Sequence, residues 1–165
     1  MPKIYGTADG FREYHFERGR DVDDYENDQV QGKLLVATEW LDASFREDFQ
    51  GLKVAPTTQE REWPRTGVVD YYGYAVSSLT VPMQVERATY EAALRELQSA
   101  DSLSADSKPK PYKSVSVEGA ISVVYGSQDA DMLTLQIPII KQILSSLIYE
   151  TGGSQSRLSG ASVRR

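Results

Sequence analysis

The chain has 165 residues, is 40% hydrophobic and 25% charged, and carries a formal net charge of −6. That length suffices for one domain with a packed core and is marginal for two. It holds no cysteine and one histidine, His15, which excludes disulfides, thiolate zinc sites, iron–sulfur clusters, cysteine nucleophiles and multi-histidine metal sites.

A short helix is predicted over Ala8 to Arg18, with Thr7 or Asp9 as its cap and Gly19 where a terminating glycine belongs. Phe11, Tyr14 and Phe16 give it aromatic weight. The stretch DVDDYEND then places five acids in eight residues. A second helix is predicted over Asn27 to Phe45, because Val30, Leu34, Ala37, Leu41 and Phe45 recur at the 3.6-residue period of an amphipathic stripe. Thr57 or Thr58 caps one helical turn, which must stop before Pro64. The aromatic loop EWPRTGVVDYYGYAV (62–76) follows. Pro82 suits the first turn of a third helix. Val85, Ala88, Thr89, Ala92 and Leu97 keep its period to Ser99.

SADSLSADSKPKP reads as a flexible connection. In YKSVSVEGAISVVYG, Val115 and Val117 alternate before Glu118-Gly119, and Ile121, Val123 and Tyr125 follow. That is a hairpin signal over about 113–125. IPIIKQILSSLIYE predicts a short helix with Pro138 near its start and Gly152-Gly153 as its end. Its apolar face is wide enough for more than one neighbour. The tail SQSRLSGASVRR is polar and basic, has no core of its own, and reads as disordered in isolation. The expected fold is therefore mainly α: a small helical bundle with one inserted β-hairpin and an extended C-terminal tail. Residues 1–150 form one domain and residues 151–165 a flexible basic arm.

Little here names chemistry. An EF-hand beginning at Asp21 would place Tyr25 and Glu26 where an oxygen ligand and a glycine are needed, so the acidic run reads as a solvated loop before a helix. GTADG lacks the lysine and spacing of a phosphate loop. His15 has no nucleophile paired with it in sequence and reads as a surface or half-buried helix histidine. No enzyme, metal or cofactor is expected. No apolar run reaches the length of a membrane span, and the N-terminus lacks a signal-peptide core, so the chain is expected to be made in the cytoplasm and not to insert in a membrane.

The aromatic loop is the feature that asks for a function. Trp63, Tyr71, Tyr72 and Tyr74 can fold onto their own helices, meet another subunit, or stack on bases. Base stackers line basic grooves, whereas here Glu60, Glu62 and Asp70 offset Arg61 and Arg65. A hairpin that is marginal alone, an over-apolar short helix and a basic tail together suggest a protomer completed by its neighbours.

The ordered set ATEWLDASF, FQGLKVAPTTQEREWPRTGVVDYYGYAV, VPMQVERATYEAAL, KSVSVEGAISVVYG and IPIIKQILSSLI resembles a family of small proteins of tailed bacteriophages, from about Thr7 to Ile148. EWPRTGVVDYYGY followed by VP at the head of a helix is its most specific piece. The family carries two labels, DnaT-like single-stranded-DNA-binding protein and head–tail connector (adaptor) of the phage neck. The connector label implies a ring, commonly twelve-fold, under the portal protein. Such a ring meets a tail or second neck protein below and passes double-stranded DNA through its lumen. The acid balance suits a lumen that DNA slides through and argues against a groove that holds phosphates.

On the connector reading the protein resides in the virion neck. The tyrosines, with Trp63 and Arg65, face a subunit or the portal, and Arg157, Arg164 and Arg165 reach an acidic portal surface. The hairpin residues Val115, Val117, Glu118, Ile121 and Val123 face the channel or a neighbour. Single-stranded-DNA binding in replication is the alternative. A completion factor that leaves before the virion matures is a further one.

Overall fold

The computed structural model describes residues 3–104 and 137–149. They contain α1 (Ala8–Phe16), α2 (Asn27–Phe45), β1 (Leu52–Lys53), β2 (Arg65–Thr66), α3 (Met83–Gln98) and α4 (Pro138–Leu144). The fold is mainly helical, as the periodicity predicts. The expected hairpin and arm lie outside the described residues, and with them Val115, Val117, Glu118, Ile121, Val123, Arg157, Arg164 and Arg165. No helix among the described residues is long and apolar enough to cross a membrane.

Thr7 caps α1, its Oγ1 accepting from the Gly10 N–H at 3.0 Å. The helix stops at Phe16. Gly19, at φ +65°, turns the chain so that its N–H meets Phe16 O and the Arg20 N–H meets His15 O. Ala8, Phe11 and Tyr14 face the core, while Phe16 points to solvent. His15 corrects its expectation: it is fully buried.

The second helix covers the predicted span. Val30, Leu34, Ala37 and Leu41 are buried, and Phe45 packs at the core's edge. The acidic run before α2 is organised by Arg12, whose guanidinium donates to Val22 O, Tyr25 O and Asn27 Oδ1.

At the centre lies α3, packed against α1, α2 and α4. Val85, Ala88, Thr89 and Ala92 of the predicted stripe are buried and Leu97 is half-buried; Tyr90, Glu91, Ala93, Leu94 and Glu96 are buried too, because neighbours surround the helix on several sides. The two buried acids are paired: Glu91 with Arg20 at 2.9 Å and the Tyr14 hydroxyl at 3.0 Å, Glu96 with Lys33 at 3.2 Å. Pro82 sits just before the helix, and its carbonyl accepts from the Val85 and Glu86 N–H groups. Gly6 and Gly10, the glycines of GTADG, make room for Tyr90: a Cβ at either would collide with the phenolic oxygen.

Two segments depart from expectation. The predicted flexible connection is folded through Ser104. Glu96 accepts from the Asp101 N–H at 2.8 Å, the Leu103 N–H and the Ser102 hydroxyl, and Leu103 is buried. The last helix also ends earlier than expected, at Leu144. A turn then brings Ile148 into an antiparallel bridge with Phe49, and the Tyr149 N–H donates to Asp48 O. Pairing with residues 48–50 satisfies that backbone while Leu147 stays buried in the core.

Candidate functional site

The 37 residues between α2 and α3, 46–82, carry the aromatic loop. Its first part is a rigid base. The turn expected to follow Thr57 or Thr58 starts two or three residues earlier, with the Thr58 and Gln59 N–H groups both on Ala55 O, so the threonines lie inside it. The Gln59 amide donates to Arg61 O and Pro64 O, which fixes the chain before β2. Strands β1 and β2 pair antiparallel, Leu52 opposite Thr66 and Lys53 opposite Arg65.

Trp63 is fully buried and packs edge-on against Phe49 at 5.4 Å. Its backbone N–H donates to the Tyr5 hydroxyl at 3.0 Å, and that hydroxyl donates to Asp42 Oδ1 at 2.6 Å. The Glu62 N–H donates to the other carboxylate oxygen, Asp42 Oδ2. Burial and the Asp42 carboxylate push the Tyr5 phenol far above its usual range. Burial also holds Asp42 above the usual carboxylate range, although the Tyr5 hydroxyl and Glu62 N–H partly offset it. Tyr5 thus stays a hydrogen-bond donor, and the loop is fastened to α2.

The arginines beside the loop are used internally. Arg65 donates to Glu62 Oε2 at 2.9 Å and to Gln50 O and Gly51 O, each at 2.8 Å. The buried Glu62 carboxylate also receives Arg46 and Lys53. Arg61 donates to Lys3 O and Glu39. Both Arg61 and Arg65 are buried. The expectation that Trp63 and Arg65 face a partner is corrected: each side chain is spent on the loop's own foundation.

The second part of the loop projects. Val69 bridges Ala75, and the Val76 N–H donates to Val68 O, with Val68 buried beneath. Between them Asp70 closes a tight turn. Its Oδ1 accepts from the Tyr72 and Tyr74 N–H groups at 2.9 and 2.8 Å, its backbone N–H donates to Tyr74 O, and Gly73 supplies the positive φ, +83°. The rings have nowhere inward to go. Tyr71, Tyr72 and Tyr74 are 85, 79 and 73% exposed, and the first two meet edge-to-face at 5.4 Å. Leu79, just beyond, is 87% exposed.

Chemistry elsewhere is sparse. His15 Nε2 donates to Tyr90 O at 3.2 Å and its Nδ1 faces Arg20, so the ring is a neutral packing element. Burial lowers its pKa; Arg20 and Arg18 push the same way, against the Tyr90 carbonyl and Glu91. Among the described residues no group of three or more His, Cys, Asp or Glu side chains is arranged to hold a metal.

Fold and loop define a small helical-bundle protein with a braced, solvent-facing aromatic tip. A family described as "Putative DnaT-like ssDNA binding protein" matches residues 4–165, and the chain belongs to that family. The description names single-stranded DNA and says nothing of a connector, so of the two labels that the sequence resemblance carries it favours the DnaT-like single-stranded-DNA-binding one. No curated protein and no solved structure gives a match.

Proposed function

We propose that the protein is a structural component of a phage virion neck, a head–tail connector that forms a ring under the portal and acts through protein–protein docking. The carrying observation is the contrast within one loop. Three tyrosines stand in solvent on a pre-set turn, while the adjacent arginines are buried in ion pairs and unavailable to phosphates. Tyrosine is favoured at protein interfaces, where it buries area at low entropic cost. The net charge of −6 suits a lumen that releases DNA. Ring, portal and tail partners enter this reading through the resemblance of EWPRTGVVDYYGY and the elements around it. The protein would act as a homo-oligomer, without a cofactor or catalysis, made in the host cytoplasm and resident in the virion.

A second reading, single-stranded-DNA binding, is supported by the family's description and by the capacity of exposed tyrosines to stack on bases. One pair of experiments separates them. Sedimenting the purified protein with portal rings of the same phage should show stoichiometric co-sedimentation, and a salt-titrated oligonucleotide assay should show no binding. Oligonucleotide affinity that falls steeply with salt and is lost in Y71A/Y72A/Y74A, without portal binding, would reverse the assignment.

A further inference from the structure

We propose that the tyrosine tip of one copy, residues 70–74, inserts into a groove of a second copy lined by Ile4, Thr7, Pro64, Leu79, Val81 and Glu86. This rests on the structural reading above and gives it a contact.

The groove holds about 510 Å³ and lies where the chain enters α3. Its lining is mostly apolar, with one carboxylate. Glu86 is half-buried, and among the described residues its side chain has no hydrogen-bond or ion-pair partner. Burial alone holds its carboxyl above the usual range. An occupant with an apolar body and a hydroxyl donor would cover the wall and satisfy that acceptor, and a tyrosine side chain has that form.

The chain's own tip does not fill the groove, since its rings are 73 to 85% exposed. Each ring can bury roughly 150–250 Å². Three of them, with the like area they cover on the partner, account for roughly 900–1,500 Å², from just below to within the standard interface range. Leu79, itself exposed, forms part of the groove and leaves its wall open to an occupant. The tip's cost of ordering is already met by Asp70, which sets the turn before any partner arrives. Tip and groove are different surfaces of one molecule, so the contact is heterologous. Repeated, it closes a ring or runs on as a filament.

The test uses the full chain in sedimentation velocity. The wild type should associate with rising concentration. Y71A/Y72A/Y74A (tip) and L79D (groove) should each weaken association by about 30-fold or more, as central interface anchors do. Both variants alter exposed residues, so circular dichroism should be unchanged. An equimolar mixture of the two should form 1:1 pairs and nothing larger, because one intact tip and one intact groove remain. Association of either variant at wild-type strength, or a mixture that forms no pairs, would overturn the contact while the structural reading stands. A wild type that stays monomeric and binds single-stranded oligonucleotides would overturn both.

Discussion

Tyr5 and Asp42, 37 positions apart in sequence, share a 2.6 Å hydrogen bond, and the Tyr5 hydroxyl in turn accepts the backbone N–H of Trp63. One phenol therefore ties the N-terminal segment, α2 and the base of the aromatic loop together. Tyr5→Phe leaves the ring in place but strips partners from a buried carboxylate oxygen and a buried amide. It should cost about 1–3 kcal/mol in urea unfolding, the penalty for unsatisfied buried groups. A loss under about 0.3 kcal/mol would mean the network contributes little.

Arg65 and the tip tyrosines should behave in opposite ways. Arg65→Ala removes the guanidinium from Glu62 and from two backbone carbonyls in a site where both charges are buried. It should destabilise the fold by about 3 kcal/mol. Arg65→Lys should recover little, since one ammonium cannot span that fork. Tyr71→Ala, Tyr72→Ala and Tyr74→Ala should each fall within about 0.5 kcal/mol of wild type. Equilibrium unfolding of the five variants checks the contrast.

The His15 imidazole should make stability fall on mild acidification. Its folded pKa lies below its ordinary value. Between the two values the unfolded chain therefore binds the proton first, and stability is lost as pH falls below about 6.5. Asp42 and Glu86, held above their ordinary values, act with the opposite sign and at lower pH. Denaturation midpoints between pH 7.5 and 6 should decline in the wild type and flatten in His15→Asn.

Gly10→Ala should invert the usual helix rule. Alanine normally stabilises a helix interior by about 1 kcal/mol over glycine. Here the new methyl meets the Tyr90 hydroxyl, so the variant should lose about 1–2 kcal/mol. Tyr90→Phe in the same chain removes the colliding oxygen and should recover part of the loss. A double-mutant cycle measures the coupling.

The three long helices were legible because each repeats its apolar residues locally. Val30, Leu34, Ala37 and Leu41 announce α2, Thr7 and Gly19 mark the ends of α1, and Pro82 announces α3. The exposed tyrosine tip was legible as composition: too aromatic and too broken by glycine for a helix. What tertiary structure alone decided were the partners. A sequence shows that Trp63 and Arg65 are notable, but only the fold shows them turned inward, because Tyr5, Asp42, Phe49 and Glu62 lie far away along the chain or compete for the same side chains. His15, expected at the surface or half-buried, lies in the core for the same reason, since α3 closes over it. Glu91 and Glu96, which no local pattern singles out, are buried because Arg20 and Lys33 pair them. Local periodicity specifies which residues form an element and which face is apolar; which polar groups are consumed, and which aromatic rings are buried or left in solvent, is settled by long-range pairing that no local pattern encodes.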